Sequence, residues 1–170
     1  MYYVRKLSNL PNLEKIKYST NIEDISSDIL KQELGTTAGT LSFWKCCDIS
    51  DLSDTAKAIL LSTNAIKTSQ FYILDDEIIK KYGLHMDDSE LGQTGYKGFE
   101  YLHSNMVELT YKKLGAVLRM LNEVFNYPDR TPKYDKDKVK SFIAEVKRAG
   151  LLNEEVLQND LKSDIDKYIR

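Results

Sequence analysis

Three groups of residues have types and spacing that invite chemistry. Residues 92–98, Gly-Gln-Thr-Gly-Tyr-Lys-Gly, set three glycines around Lys97, and glycine backbones can turn several N–H groups toward an anion that a lysine then neutralises. The spacing departs from the phosphate-loop pattern, and no hydroxyl residue follows a Gly-Lys pair to hold magnesium. A plain flexible loop is the competing reading. His85 lies close to Asp87, Asp88 and Glu90, which are donors a divalent ion accepts, although neighbours in one loop seldom converge on one ion and a solvated acidic turn has the same composition. His103 has the base chemistry to activate a serine or cysteine, but no nucleophile elbow accompanies it. None of these sets amounts to a reaction centre. No catalytic residue, metal or cofactor is therefore assigned.

Composition narrows the function classes. The 170 residues carry 24 Lys and Arg against 26 Asp and Glu, a formal net charge of -2, which speaks against a general nucleic-acid binder because phosphate binding needs a concentrated positive field. Hydrophobic residues make up 42%, enough for a core without disulfides. No apolar run approaches the roughly 20 residues of a membrane span, and the start of the chain lacks the pattern of a signal peptide, so a cytoplasmic protein is expected. Cys46 and Cys47 are sequence neighbours that a strand would send to opposite faces, so they read as reduced, structural thiols.

The elements that must position these residues centre on residues 40–82, which read as strand, helix, strand, helix. Residues 40–47 (TLSFWKCC) and 70–74 (QFYIL) are the strands, and the helical face between them is Leu52, Ala56, Ile59, Leu60 and Thr63. In the first of these strands Leu41 and Phe43 point one way and Ser42, Trp44 and Cys46 the other. A crossover of that length predicts parallel strands. The expected fold is α/β, with a small mixed or parallel sheet built on a central β-α-β unit and a C-terminal helical hairpin. Residues 1–127 form the α/β domain, 128–134 a linker and 135–170 the hairpin.

Within that frame residues 2–7 alternate as a first strand. Ile22, Ile25, Ile29 and Leu30 mark a short helix behind the weak cap at residues 21–24. Asp75 or Asp76 caps a helix ending near Gly83, residues 85–105 form a long loop, and residues 106–110 form a strand. The stripe Leu114, Val117, Leu118, Leu121 and Phe125 marks the clearest helix. Val139, Phe142, Ile143 and Val146, then Leu157, Leu161, Ile165 and Tyr168, mark the two helices of the hairpin. Lys133, Lys136, Lys138 and Lys140 alternate with Asp135 and Asp137 and read as a solvated helix start.

At its central unit the sequence resembles an uncharacterised family of small bacterial proteins. The resemblance rests on residues 40–45 (TLSFWK), the helix bearing Ala56, Ala58 and Ile59, residues 71–75 (FYILD) and residues 107–109 (VEL), and spans about residues 40–111. Such proteins tend to be encoded beside larger partners in mobile or host-defence gene clusters. With no reaction centre, but a compact α/β body carrying a tyrosine-bearing loop and a helical hairpin, the chain is expected to be a non-catalytic protein-interaction subunit: an accessory subunit of a defence complex, an antitoxin or an immunity protein. Its partner would be a larger protein encoded nearby, or a second copy of the chain held through the hairpin. Among the 11 tyrosines, Tyr96, Tyr101, Tyr127 and Tyr134 fall in loop and linker and are the anchor candidates. The single tryptophan, Trp44, reads as core. The alternative is an enzyme acting on a nucleotide or phosphoryl group at the C-terminal edge of parallel strands, using Lys97, His103, Asp75 and Asp76 beside the 85–105 loop.

Overall fold

The computed structural model describes residues 1–19, 21 and 24–169. Ile22 and Glu23, expected in the helical pattern and its cap, and Arg170, expected at the end of the hairpin, lie outside the described residues. The elements in chain order are β1 (Tyr2–Lys6), α1 (Leu10–Lys17), α2 (Ser27–Glu33), β2 (Leu41–Cys46), α3 (Ser53–Leu60), β3 (Ser69–Asp75), α4 (Asp76–Lys81), β4 (His85–Asp87), β5 (His103–Val107), α5 (Tyr111–Val124), β6 (Lys133–Tyr134), α6 (Lys136–Arg148) and α7 (Asn159–Tyr168). No helix among the described residues is long and apolar enough to cross a membrane.

The fold is α/β, but its sheet is antiparallel. The strands run in the order β4-β5-β2-β1-β3-β6, and every pairing is antiparallel. β2 and β3 do point the same way, as the α3 crossover requires. The expected parallel pair fails because β1 lies between them, with Val4 opposite Trp44 on one side and Ile73 on the other. A β-α-β reading sees only contiguous chain, and the inserted strand comes from the N-terminus.

Helices cover both faces of the sheet. Val4, Trp44, Cys46, Phe71 and Ile73 pack with α3, α6 and α7 on one face, which we call the first. Tyr3, Phe43, Tyr72, Leu74 and Met106 pack with residues of α1, α2, α4 and α5 on the second. Alternation along each strand thus feeds both layers, and the division of Leu41 and Phe43 from Trp44 and Cys46 is the one their positions predict. Cys46 is buried and Cys47 exposed; burial pushes the Cys46 thiol up.

The C-terminal helices do not pair chiefly with each other. α6 lies along α3, and Val139, Phe142, Ile143, Val146, Leu161 and Ile165 join the core of the first face. Their stripe needs a surface, and the chain's own sheet supplies it, so a second copy is not needed to cover it. Residues 128–134, expected as a linker, make a short 3-10 turn and then β6, the edge strand beside β3. The expected strand at 106–110 lies earlier, at β5, and β4 pairs with it from within the expected loop.

α1, which the sequence reading did not anticipate, begins at Leu10 with Pro11 in its first turn, where a missing N–H costs nothing. Asn9 gives it no side-chain cap. Glu33, fully buried at the end of α2, reaches across instead. Its carboxylate accepts the N–H groups of Ser8 and Asn9 at 3.1 Å and the Asn12 amide at 2.8 Å. This cap supplied from another helix holds α1 to α2.

Candidate partner-binding groove

The four expected tyrosines do not share a surface. Tyr96 is buried, its hydroxyl donates to Asp54 Oδ1 at 2.9 Å, and its ring stacks on Phe99 at 3.9 Å. Burial, aided by the bond to Asp54, pushes its phenol well up. Tyr101 is exposed and continues that stack through Phe99. Tyr134 is wedged between Phe71 and Phe142 in the core of the first face, and burial raises its phenol too. Tyr127 is exposed before the 3-10 turn.

The residues of the enzyme alternative are spread across the sheet. His103, Trp44, Val4 and Ile73 stand in one row over four adjacent strands; at about 4.8 Å per strand, the β3 end of that row lies roughly 14 Å from His103. Asp75 is two residues further along β3, where it caps α4 through the Ile78 N–H at 2.8 Å and pairs with Arg130 at 3.0 Å. Arg130 in turn lies over the Tyr2 ring. Asp76 lies beside Tyr3, whose phenol burial and nearby carboxylates push up to about 12. The imidazole of His103 packs edge-on against Trp44.

Residues 92–98 are a packed segment, not a free loop. Thr94 Oγ1 donates to the Ala58 carbonyl, Gly95 N–H to that of Leu61 and Lys97 N–H to that of Leu151, while Gly95 accepts the Asn153 N–H. The backbone N–H groups of Gly92, Gly95, Tyr96 and Lys97 are thus engaged within the chain, and the Lys97 side chain is exposed beyond them. A Cβ on Gly92 would meet Trp44 and His103, and one on Gly95 would meet Leu157, so these glycines permit close packing. Asp87, Asp88 and Glu90 turn to Ser89, Lys45 and Asn105 respectively, away from a common ion with His85.

A different site emerges on the second face. Between α2 and α5 runs a groove of about 910 Å³, whose long wall is one stripe of α5: Tyr111, Leu114, Gly115, Leu118, Arg119 and Asn122. These positions recur at three- and four-residue steps and so lie along one side of the helix. Ile25, Leu30 and Leu34 form the facing wall. The Asn122 amide donates to the Ile16 carbonyl at 2.6 Å and fastens the end of α1 there. Tyr111, 95% exposed at the lip, is the most uncovered large aromatic among the described residues. Lys31, Lys112 and Arg119 also line the groove, and no carboxylate does among the described residues. None of these three cations forms an ion pair with the described residues.

No protein-family model, curated protein or solved structure matches the chain.

The sequence carried two signals for this groove that periodicity alone passes over. Gly115 interrupts the best helix of the chain, where glycine costs about 1 kcal/mol relative to alanine. Its Cβ position is open, meeting nothing nearer than Arg119 Nη1 at 3.7 Å, so packing within the chain does not explain it. Tyr111 and Lys112, two helix-start residues outside the apolar stripe, are the second signal.

Proposed function

We propose that this chain is a non-catalytic interaction subunit of a bacterial multi-protein system, in the manner of an accessory subunit of a defence complex, an antitoxin or an immunity protein. Its partner is a larger cytoplasmic protein encoded beside it, which lays an amphipathic helix in the α2–α5 groove. The observation that carries this reading is the combination of an apolar lining with an uncompensated cationic rim of Lys31, Lys112 and Arg119. That combination selects an occupant with apolar anchors at i, i+4 and i+7 and carboxylates along its flank. Gly115 lets the incoming backbone approach closely, and Tyr111 has the residue type and exposure of an anchor.

Co-expression with each neighbouring gene product tests the reading. One of them should co-purify with the wild-type chain and be lost, by tenfold or more in affinity, from the double variant K112E/R119E, whose circular dichroism should match the wild type. Acid-to-base changes on the partner helix should restore binding. A chain that remains solitary, or a partner retained equally by the double variant, overturns the reading.

A further inference from the structure

A second hollow, of about 400 Å³, opens where β1 ends, bounded by the α3–β3 connection and by Gln158, the residue before α7. Lys6 and Lys67 both line it, and no carboxylate does among the described residues. Neither lysine has an ion-pair partner among the described residues. Asp164, the acid on α7 that reaches the connection, accepts the Ile66 N–H at 2.9 Å. Burial, reinforced by the charge of Lys67, brings the Lys6 ammonium down to about 8. Two unbridged cations turned to one recess repel each other, a cost that an arriving anion removes.

The neutral groups around them sharpen the choice of anion. Ser62 Oγ and Thr63 Oγ1 donate to the carbonyls of Ile59 and Leu60, each at 2.7 Å, so toward the hollow they can only accept. Gln158 leaves the first turn of α7 without a side-chain cap. The recess thus offers two cations and, in the same lining, two hydroxyl acceptors. A bare anion uses only the first; a phosphoryl group attached to a hydroxylated carrier uses both.

We propose that Lys6 and Lys67 bind the phosphoryl group of a small hydroxylated phosphate monoester, whose carrier hydroxyl donates to Ser62 or Thr63. The volume suits a ligand of sugar-phosphate size. The site lies apart from the α2–α5 groove and does not depend on the partner reading.

Calorimetric titration of the full chain at constant ionic strength, with inorganic phosphate and with glycerol 2-phosphate as probes, tests this. Both should bind saturably, the ester more tightly, and K67Q, which alters an exposed side chain, should weaken both at least tenfold. K6Q should do the same; if it fails to fold, K67Q alone decides. Absence of saturable binding, or K67Q binding as the wild type does, overturns the site. An ester that binds no better than inorganic phosphate overturns its assignment to a monoester.

Discussion

On the first face of the sheet, α6 and α7 bring Val139, Phe142, Ile143, Val146, Leu161 and Ile165 into one core with Phe71 and Ile73, and Tyr96 joins that core beside α3. On the second face, α5 meets the sheet through Val117, Leu121 and Phe125, yet Tyr111, Leu114 and Gly115 stand open between it and α2. Both helical layers draw on the same kind of amphipathic stripe. One is closed because a long C-terminal segment returns to it; the other has a cationic rim where a further helix would lie. Stability should therefore reside mainly in the first face and recognition in the second.

The largest test of that division removes the covering. Deleting the chain after Tyr134 would expose Phe71, Ile73 and the inner side of α3, and should abolish cooperative unfolding altogether, as read by thermal denaturation and by collapse of amide shift dispersion. A single-site version compares two leucines. Leu161→Ala, at a fully buried position of α7, should cost about 2–5 kcal/mol, and Leu114→Ala, half-buried in the groove, less than about 1 kcal/mol. Equal losses would mean that the groove is part of the core and that the contrast is false.

The next effect concerns the wall of the groove. Glu33→Ala removes the acceptor shared by Ser8, Asn9 and the buried Asn12 amide. Water can replace it at the exposed Ser8 and Asn9 but not at Asn12, so a loss of about 2–4 kcal/mol is expected in urea denaturation. A loss below about 1 kcal/mol would show that α1 is held by its other contacts, the Asn122 bond to Ile16 among them, and not by the Glu33 cap.

How much of this was legible in the sequence follows from the range of the interactions involved. The two faces of β2 and the stripes of α5 and α6 are local patterns, and they were read; of the stripe expected for the last helix Leu161 and Ile165 are buried in α7, whereas Leu157 is buried ahead of it and Tyr168 is exposed. The stops at Gly83 and Gly150, both at positive φ, were read as well. The position of β1 between β2 and β3 was not, because it depends on pairing between segments about 40 and 70 residues apart, which leaves no local periodicity. β6 was missed because two residues between prolines and a helix cap give no alternation. Glu33 looks like any surface glutamate until α1 is placed over it. Residues 92–98 look mobile because the packing that fixes them comes from α3 and from residues 151–157. The groove itself is a relation between two helices, and only Gly115 and the pair Tyr111 and Lys112 hinted at it.

The two glycines of these regions give a smaller test with opposite signs. In Gly95→Ala the new Cβ would collide with Leu157 Cδ2, in a buried contact that must shift, so a loss of about 1–3 kcal/mol is expected. In Gly115→Ala the Cβ enters open space, and helix propensity should raise stability by up to about 1 kcal/mol. The same methyl would stand in the path of an approaching helix, so stability and partner affinity should move apart. If Gly115→Ala stabilised the chain and left partner binding unchanged, the occupant would not approach the backbone of α5.

The smallest effect comes from two ion pairs, one on each face. Glu145 joins α6 to Lys57 of α3 at 3.0 Å, and Glu123 joins α5 to Lys81 of α4 at 2.7 Å, with the Tyr82 hydroxyl donating as well. These hydrogen bonds hold both carboxyls below the ordinary glutamate value of 4.5. A carboxyl depressed in the folded state contributes stability that is present above its unfolded value and lost as the pH falls through its folded value. Each pair should thus weaken only below about pH 4.5. Pairs this exposed contribute little to stability, but their lysines differ. The Lys57 side chain is 12% exposed and lies over the Phe142 ring, whereas that of Lys81 is 58% exposed. Glu145→Gln leaves a nearly buried ammonium with only Asp54 at 3.8 Å, while Glu123→Gln leaves one that water solvates. Glu145→Gln should therefore lower the melting temperature more at neutral pH, and the difference between the two variants should fade as acid protonates the wild-type carboxyls. If Glu123→Gln proved the costlier, the second face would rely on its ion pairs where the first relies on burial, and the asymmetry between the faces would have a different physical origin.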